Sequence, residues 1–435
     1  MGEPGFDGFV PGPGVAAGPW STAGSIDGDN AVKPFDGVKI VDLSTVIAAS
    51  SAARIFADQG AEVIKVETLS GDLHRVQGAI LGLRADKDEN PVFDVENANK
   101  TFVALDLKSP AGKKVLFELL QDADALITNY REDALARLGV TYDDLRSQFP
   151  GLVYGHVNAY GEKGEEAGKP GYDIIAYFGR TGLGIDTGTS ENYPLVNLGG
   201  MGDHPTGIAL AQGVAAALYR KLKTGRGDKV SVSLYHSGIW TTATMQPAVQ
   251  AGHRYPQPYK EPVLLPVMGH PYKTADGEWV IFMLFDFDRY WKPLCECLDR
   301  ADLIDDVRFN SRMANKKNQR EMVEILSPLI ATKPLNEWAE KWSAADIPFE
   351  SLRHMADVAG DEQALVNDFV RPLTYSSGNT FCLPTPPIQF RESGKPDYRP
   401  AADVGADTTK VLMRLGYSEA DIAALVDAKV IRAPG

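Results

Sequence analysis

Short apolar runs alternate with amphipathic stretches from about residue 38 onward, and this alternation predicts the secondary structure. The apolar runs predict buried strands at 38–43, 61–67, 101–107, 123–128, 152–157 and 229–234. The clearest amphipathic stretches predict helices at 47–58, 110–121 and 205–223. Strand–helix–strand units with right-handed crossovers build parallel sheets. We therefore expect an α/β fold with a large, mostly parallel sheet.

The same rhythm divides the chain into segments. Residues 1–35 are rich in Gly, Pro, Ala and Ser and show no period, which predicts a flexible extension. The alternation holds over 36–250, which we interpret as one large α/β domain, and fades in the Pro- and Gly-rich stretch 251–275, a predicted linker. Residues 276–375 predict a smaller α+β domain. The helical tail, 376–435, is expected to return and pack on the large domain.

Composition narrows the class of protein. A chain of 435 residues is too long for one compact core, and 44% hydrophobic with 23% charged residues is typical of a globular protein. No apolar run approaches 18 residues, so we expect no transmembrane helix and no membrane partner. The N-terminus lacks the basic and apolar regions of a secretory signal.

Cysteine usage and charge exclude further classes. The cysteines are Cys295, Cys297 and Cys382, an odd number whose Cys-Glu-Cys spacing fits neither a zinc nor a redox motif. A reducing cytoplasm is the expected location. The formal charge of −14 opposes binding to nucleic acid, because a duplex-binding surface needs clustered basic residues.

The most informative segment for chemistry is 197–207, which reads NLGGMGDHPTG. Three glycines crowd Asp203 just before a long predicted helix, and small residues let a substrate or another backbone approach closely. Unpaired amide groups at the helix start would stabilise the charged form of the carboxylate, and could also stabilise an oxyanion. Asp followed two residues later by Pro is equally typical of an ordinary helix N-cap. The residue types alone leave nucleophile and cap about even.

Several other signatures are weak or absent. The turn after the first strand, 44–49, lacks the glycines of a dinucleotide site, and the zinc motif H-E-x-x-H and the serine motif G-x-S-x-G do not occur. Residues 96–100 predict a turn before a strand, and residues 171–173 predict a solvated turn. Four basic side chains near strand ends could meet phosphates, although solvated surface charge is the plainer interpretation. They are Arg75, Lys108, Arg131 and Arg137.

Ordered motifs between about residues 35 and 240 resemble the CaiB/BaiF family, the family III CoA-transferases. A single such motif would be weak, but the set occurs in order and at sensible spacing. The motifs are F-D-G-V at 35–38, V-I-K-V-E followed by G-D-x-x-R at 63–75, N-x-N-K at 97–100, L-D-L-K at 105–108, T-N-Y at 128–130 and T-G-x-G at 224–227.

The resemblance implies a fold, an activity and site residues. It implies a Rossmann-like large domain, an interlocked homodimer and no permanently bound cofactor or metal, with coenzyme A as a carried substrate. Asp203 would be the acyl-accepting nucleophile, and Asp173 would help to position it or the substrate. CoA contacts in the family fall on Val46, Ile47, Thr68, Arg75, Leu105, Lys108, Asn129, Tyr130, Arg131 and Arg137. Formyl-CoA transferase has glutamine at the position of Ile47 and arginine at that of Thr68, so contacts through those side chains do not carry over.

The family also contains α-methylacyl-CoA racemases, whose catalytic histidine corresponds to Tyr172. Tyrosine, with an ordinary pKa near 10, is a poor base, which favours transferase over racemase. A catalytically inactive CoA-binding protein remains a second alternative. Within the transferases, residues 94–100 and 202–204 look closest to the branch that acts on 2-hydroxy acids in anaerobic amino-acid fermentation. The expected partners are then an acyl-CoA, such as an aryl- or alkyl-acrylate thioester, and a small carboxylic acid.

Overall fold

The computed structural model describes residues 32–187, 198–252, 270–395 and 398–434. The predicted N-terminal extension up to residue 31 and most of the predicted linker, 253–269, lie outside them. The strands are β1 (Lys39–Leu43), β2 (Glu62–Glu67), β3 (Thr101–Leu105), β4 (Ala125–Thr128), β5 (Val153–Asn158), β6 (Lys229–Ser233), β7 (Pro271–Lys273), β8 (Trp279–Phe282), β9 (Phe349–Ser351), β10 (Val370–Thr374), β11 (Thr380–Pro384) and β12 (Ile431–Arg432).

The α-helices frame these strands. They are α1 (Ala48–Asp58), α2 (Gln77–Ile80), α3 (Pro91–Asn97), α4 (Pro110–Gln121), α5 (Glu132–Leu138), α6 (Tyr142–Leu145), α7 (Leu183–Asp186), α8 (Asp203–Thr224), α9 (Leu234–Thr241), α10 (Met245–Gln250), α11 (Phe287–Cys297), α12 (Arg312–Lys317), α13 (Gln319–Ile330), α14 (Leu335–Ala344), α15 (Glu362–Val366), α16 (Thr408–Arg414) and α17 (Glu419–Asp427). Short 3₁₀ turns occur at Leu73–Val76, Ala301–Leu303 and Met355–Gly360, and a π-helical turn at Asp173–Gly179.

The largest sheet in the described residues has seven strands in the order β12-β3-β2-β1-β4-β5-β6. All neighbours pair in parallel except β12, which is antiparallel to β3. Strand order reverses at β1, which pairs with β2 on one side and with β4 on the other. In doubly wound sheets a crevice opens beyond the carboxyl ends of the strands at such a reversal. The predicted α/β, mostly parallel architecture is confirmed.

Helices cover both faces of this sheet because successive strand residues point to opposite sides. On one face Ile40 of β1 packs in a buried cluster with α1 and α8, whereas Val41 packs on the other face in a cluster with α4, α16 and α17. Strands buried on both faces are mostly apolar, so they stand out in the sequence as nearly continuous apolar runs, although β1 and β2 also bury the charged residues Asp42 and Lys65. The sheet thus holds the first residue of α8 above its carboxyl edge.

A second buried cluster, between Tyr272 and Ile347, is built on β7, β8 and helices α11, α13 and α14. Its centre holds Trp338 and Trp342, whose rings stack 5.2 Å apart. β7 begins inside the stretch predicted as a linker, so that stretch is in part a strand. The predicted domain boundaries themselves stay a prediction.

Candidate functional site

A cleft of about 730 Å³ lies at the carboxyl edge of the large sheet. Its walls come from the turn after β1, the segment that follows β4 and the long connection after β5, with Asp203 of α8 also in the lining. This is the crevice that the strand order creates between β1 and β4. The topology therefore brings together segments that are far apart in the sequence.

The turn after β1 is held in an unusual backbone conformation. Val46 has a φ of +62°, which a β-branched residue adopts only under strain. The carboxylate of Asp72 accepts hydrogen bonds from the Thr45 hydroxyl (2.7 Å) and the Val46 amide (3.1 Å). Asn129 bonds both backbone groups of Thr45, at 3.0 and 2.7 Å. These bonds fix the wall of the cleft against which a ligand would lie.

Asp203 is the first residue of α8, and Gly202 occupies the N-cap position without a side-chain capping bond. The alternative interpretation of Asp203 as a helix cap is therefore wrong, and so is the predicted helix start at residue 205. The carboxyl group is instead partly exposed in the cleft. A carboxylate that is not used for capping is available to react.

The ionisation of Asp203 also differs from the expectation that a helix start keeps it charged. Burial raises the pKa of Asp203 to about 7, helped by the negative charge of Asp173 and opposed by His204. Desolvation and a like charge both disfavour the carboxylate, and here they outweigh the helix terminus. Near neutral pH the group is divided between its charged and neutral forms.

Asp173 holds the glycine turn in front of α8. Its Oδ2 accepts hydrogen bonds from the amides of Gly200 (2.9 Å) and Gly202 (3.3 Å). Gly202 is glycine because a Cβ there would lie 2.6 Å from the Tyr177 ring and 2.9 Å from the Asp173 Cβ. The exposed turn predicted at 171–173 is wrong for Asp173, which is buried at the start of the π-helical turn, whereas Tyr172 is exposed and lines the cleft.

The structure separates the predicted CoA-contact positions into two groups. Val46, Ile47, Asn129, Tyr130 and Arg131 line the cleft. The other predicted positions, Thr68, Arg75, Leu105, Lys108 and Arg137, lie outside its lining.

Arg75 and Arg137, in that second group, already have carboxylate partners. The Arg75 guanidinium makes two hydrogen bonds to Glu67, at 2.8 and 2.9 Å, and Arg137 bonds Asp133 at 2.9 Å. Leu105 is buried in the sheet, where it pairs with Ile431. The assignment of these positions to CoA stays a prediction.

Sequence reasoning missed several groups at the site. Glu162 lines the cleft, and its carboxylate lies 2.7 Å from the Lys229 Nζ. Neighbouring His156 and Lys229 lower the pKa of Glu162 to about 2, so it is ionised at neutral pH. Lys169 lines the same wall. No motif marks these residues, because only the connection after β5 brings them to the sheet edge.

The turn predicted at 96–100 was wrong for Glu96, which is helical. It lies near the end of α3, is buried, and accepts hydrogen bonds from His74 and His204, both 2.9 Å long. Separations of 22 and 108 residues hide this cluster from any local pattern. One member of the cluster, His204, directly follows Asp203 in the chain.

Neither a membrane-spanning helix nor a cluster of metal-binding side chains occurs in the described residues. No helix in those parts of the chain has the length and hydropathy needed to cross a membrane. In the same residues, no group of three or more His, Cys, Asp or Glu side chains is arranged to hold a metal ion.

Comparison with known proteins points to a single family. CoA-transferase family III matches residues 35–408. The chain is 40% identical to the (R)-2-hydroxy-4-methylpentanoate CoA-transferase of Clostridioides difficile over 92% of this chain and 99% of that protein. It is 38% identical to the cinnamoyl-CoA:phenyllactate CoA-transferase of Clostridium sporogenes over 93% and 98%, respectively.

A solved structure with lower sequence identity has a similar fold. The crystal structure of the Mycobacterium tuberculosis protein Rv3272 superposes with a TM-score of 0.75 at 26% identity, covering 88% of this chain and all of that one. The residues that match the family, 35–408, include strands β1 to β6 of the large sheet, the lining of the cleft and Asp203. The chain therefore belongs to CoA-transferase family III.

Proposed function

We propose that the protein transfers CoA from an acyl-CoA thioester to a small carboxylic acid, with Asp203 as the covalent acceptor. The observation that carries the proposal is the position of Asp203: a carboxyl group free of capping bonds, at the start of a helix, in the cleft of an α/β sheet. With a pKa of about 7, a large fraction of Asp203 is still the nucleophilic carboxylate at neutral pH, and the raised basicity favours nucleophilic attack. Covalent catalysis divides one difficult exchange into easier steps.

The proposed steps balance in atoms and charge. The Asp203 carboxylate attacks the thioester carbonyl, the C–S bond breaks, and a mixed anhydride and CoA thiolate result. The thiolate attacks the aspartyl carbonyl and releases the donor acid as a carboxylate, leaving an aspartyl-CoA thioester. The acceptor carboxylate attacks that thioester to form a second anhydride, and the returning thiolate takes the acceptor acyl group and restores the Asp203 carboxylate.

Relatives supply the substrate class of the proposal. The two described above act, by name, on (R)-2-hydroxy-4-methylpentanoate and on the cinnamoyl-CoA and phenyllactate pair. We extend this class to the present chain, with a 2-hydroxy acid as one partner and an aryl- or alkyl-acrylate as the other. A panel of CoA donors against aryllactates, 2-hydroxyisocaproate and formate measures the preference directly.

Trapping of the intermediate tests the proposed function. After incubation with an acyl-CoA and hydroxylamine, we expect peptide mass spectrometry to find a hydroxamate on Asp203, because hydroxylamine attacks both the anhydride and the thioester. Borohydride should reduce the same side chain to an alcohol. Turnover with an unmodified Asp203 would contradict the mechanism. Retained CoA affinity without any exchange would favour an inactive binding protein, and α-deuterium wash-in without exchange would favour a racemase.

The arginines around the cleft give a matched pair for the CoA site. Arg131, at the N-cap of α5, lines the cleft, whereas Arg137, near the end of the same helix, lies outside the lining. Both are paired with Asp133, at 3.8 and 2.9 Å. We expect Arg131→Met to raise KM for acyl-CoA about tenfold, because a charge-assisted bond to a phosphate is worth roughly 1.5–3 kcal/mol. Arg137→Met should leave KM within about twofold. Initial-rate kinetics at fixed acceptor measure both, and equal effects would contradict the placement of the phosphates.

The interlocked homodimer stays part of the proposal. Its support is the family resemblance, in which each chain threads the other. Light scattering at micromolar concentration is expected to give twice the mass of one chain, and the mass of a single chain would oppose it.

A further inference from the structure

Beside the proposed nucleophile lies a chain of hydrogen bonds that the transfer steps do not use. The Glu96 carboxylate bridges two imidazoles, with Oε2 2.9 Å from the His74 Nε2 and Oε1 2.9 Å from the His204 Nε2. Glu96 and His74 are each less than 5% exposed, so this part of the bridge is shielded from water, whereas the His204 side chain is 46% exposed. His204 follows Asp203 directly on α8.

The second nitrogen of His204 faces another acceptor. Its Nδ1 lies 2.9 Å from the carbonyl oxygen of Gly200, which also accepts the His204 backbone amide at 3.0 Å. A backbone carbonyl oxygen and a carboxylate can only accept hydrogen bonds, so both ring nitrogens must carry protons. An imidazole with two N–H groups is an imidazolium. The geometry therefore specifies a positive charge on His204.

The surrounding charges agree with this protonation. Hydrogen bonding to Glu96 raises the pKa of His204 despite its partial burial. Burial alone would raise the pKa of Glu96, but the bonds from His204 and His74 outweigh it and lower that pKa. The titratable groups that face His204 are Glu96 from α3, Asp203 from its own helix and, through Glu96, His74 from the 3₁₀ turn, while Asp173 from the π-helical turn acts on the neighbouring Asp203.

The same bonds hold the turn that presents Asp203. Gly200 has a φ of +91°, its amide donates to Asp173 and its carbonyl accepts from His204. A Cβ at Gly200 would lie 3.0 Å from the His204 ring, so the imidazole packs directly on the turn. His204 thus fixes one side of the peptide and Asp173 the other.

We propose that His204, held by the Glu96–His74 bridge, is a positioning residue whose positive charge favours the Asp203 carboxylate over the carboxylic acid and whose Nδ1–H locks the Gly200 turn. The inference rests on the proposed function of Asp203. Two negative neighbours, Asp173 and Glu96, oppose ionisation of Asp203, and they are countered to a smaller extent by His74 and most strongly by His204. Without it the nucleophile would be protonated over more of the neutral pH range.

The pH profile of His204→Gln tests this role. In the wild-type protein kcat/KM should rise with pH through about 7, as Asp203 ionises. Removal of an opposite charge raises a carboxyl pKa by about one unit or more, so the rising limb should move about one pH unit higher and kcat/KM at pH 6 should fall about tenfold. His204→Lys, which keeps the charge, should return the limb towards its wild-type position. His354→Gln, at the N-cap of the 3₁₀ turn Met355–Gly360 and outside both the cleft lining and the bridge, is the matched control and should leave the profile unchanged.

The outcomes separate this inference from the proposed function. Two outcomes would overturn the charge role of His204. In one, His204→Gln loses activity equally at all pH values and the rising limb of its pH profile does not move. In the other, the Gln and Lys variants have equal profiles. Hydroxylamine should still label Asp203 in His204→Gln; loss of labelling in the wild type would instead defeat the nucleophile itself. Should the variants fail to fold, ¹⁵N-histidine spectra of the wild-type protein at pH 8 decide. An imidazole that is still doubly protonated at this pH, well above the ordinary pKa of about 6.5, supports the inference. The absence of any doubly protonated imidazole overturns it.

Discussion

Asp203→Asn is expected to lower kcat for CoA exchange at least about 1,000-fold, the scale on which removal of a covalent nucleophile acts. The amide has nearly the same shape as the carboxyl group, and Asp203 makes no capping bond, so folding should be retained. The amide oxygen is a far weaker nucleophile than a carboxylate, and the anhydride would not form. Exchange between labelled acyl-CoA and free acid, followed by chromatography, measures the loss.

The control for this variant is Asp122→Asn, at an exposed position after α4. It should leave kcat unchanged and show that loss of one carboxylate as such is harmless. Asp203→Asn should also abolish the hydroxamate in the trapping experiment. Asp203 would be contradicted as the covalent acceptor if the variant kept more than a tenth of the wild-type rate. Mass spectrometry must then show that the introduced asparagine has not been deamidated to aspartate.

Gly207→Ala is expected to destabilise the protein by about 2 kcal/mol and to impair catalysis as well. Gly207 lies one turn after Asp203, where α8 crosses α1. A Cβ there would lie 2.1 Å from the Ser51 hydroxyl and 2.6 Å from the Ala48 carbonyl oxygen. Overpacking costs about 1–3 kcal/mol and occasionally more, and the better helix propensity of alanine returns only roughly 1 kcal/mol.

The catalytic effect follows from the same contact. The backbone of α1 resists displacement because the helix is buried against the sheet, so the start of α8 must shift instead. A displacement of about 1 Å at a reacting group can cost up to a hundredfold in rate. Urea denaturation measures the stability, with Gly360→Ala as control because a Cβ there meets nothing within 4 Å. An unchanged unfolding midpoint for Gly207→Ala would contradict the tight crossing of α1 and α8.

Local sequence patterns predicted the elements of the large sheet to within a few residues. The helix Pro110–Gln121 was predicted to the residue, since Pro110 suits the first helical turn and Ser109 caps it. The buried strands could be recognised in the sequence because both of their faces are covered, which makes most of their residues apolar. β12 was missed because its two residues form a strand only by pairing with β3, a partner far away in the chain.

The candidate site was predicted only in part, and its errors have one physical origin. The glycines around Asp203 and the ordered motifs pointed to the residue, but its ionisation was predicted in the wrong direction. A pKa depends on burial and on charges that arrive from other segments, here Asp173. The solvated turn predicted at Asp173 was wrong for the same reason, since tertiary packing buries that carboxylate, and Glu96 is buried in a helix where a turn was predicted.

The sequence by itself determined the α/β class, the family and the identity of the proposed nucleophile, because periodicity and motifs are local properties of the chain. The tertiary structure decided which predicted contacts line the cleft, the protonation of Asp203 and the bridge from His74 through Glu96 to His204. All three features bring together residues that are far apart in the chain. In the bridge, the bonded residues are separated by 22 and 108 positions. Electrostatic interactions and hydrogen bonds act through space, so only the fold could reveal them.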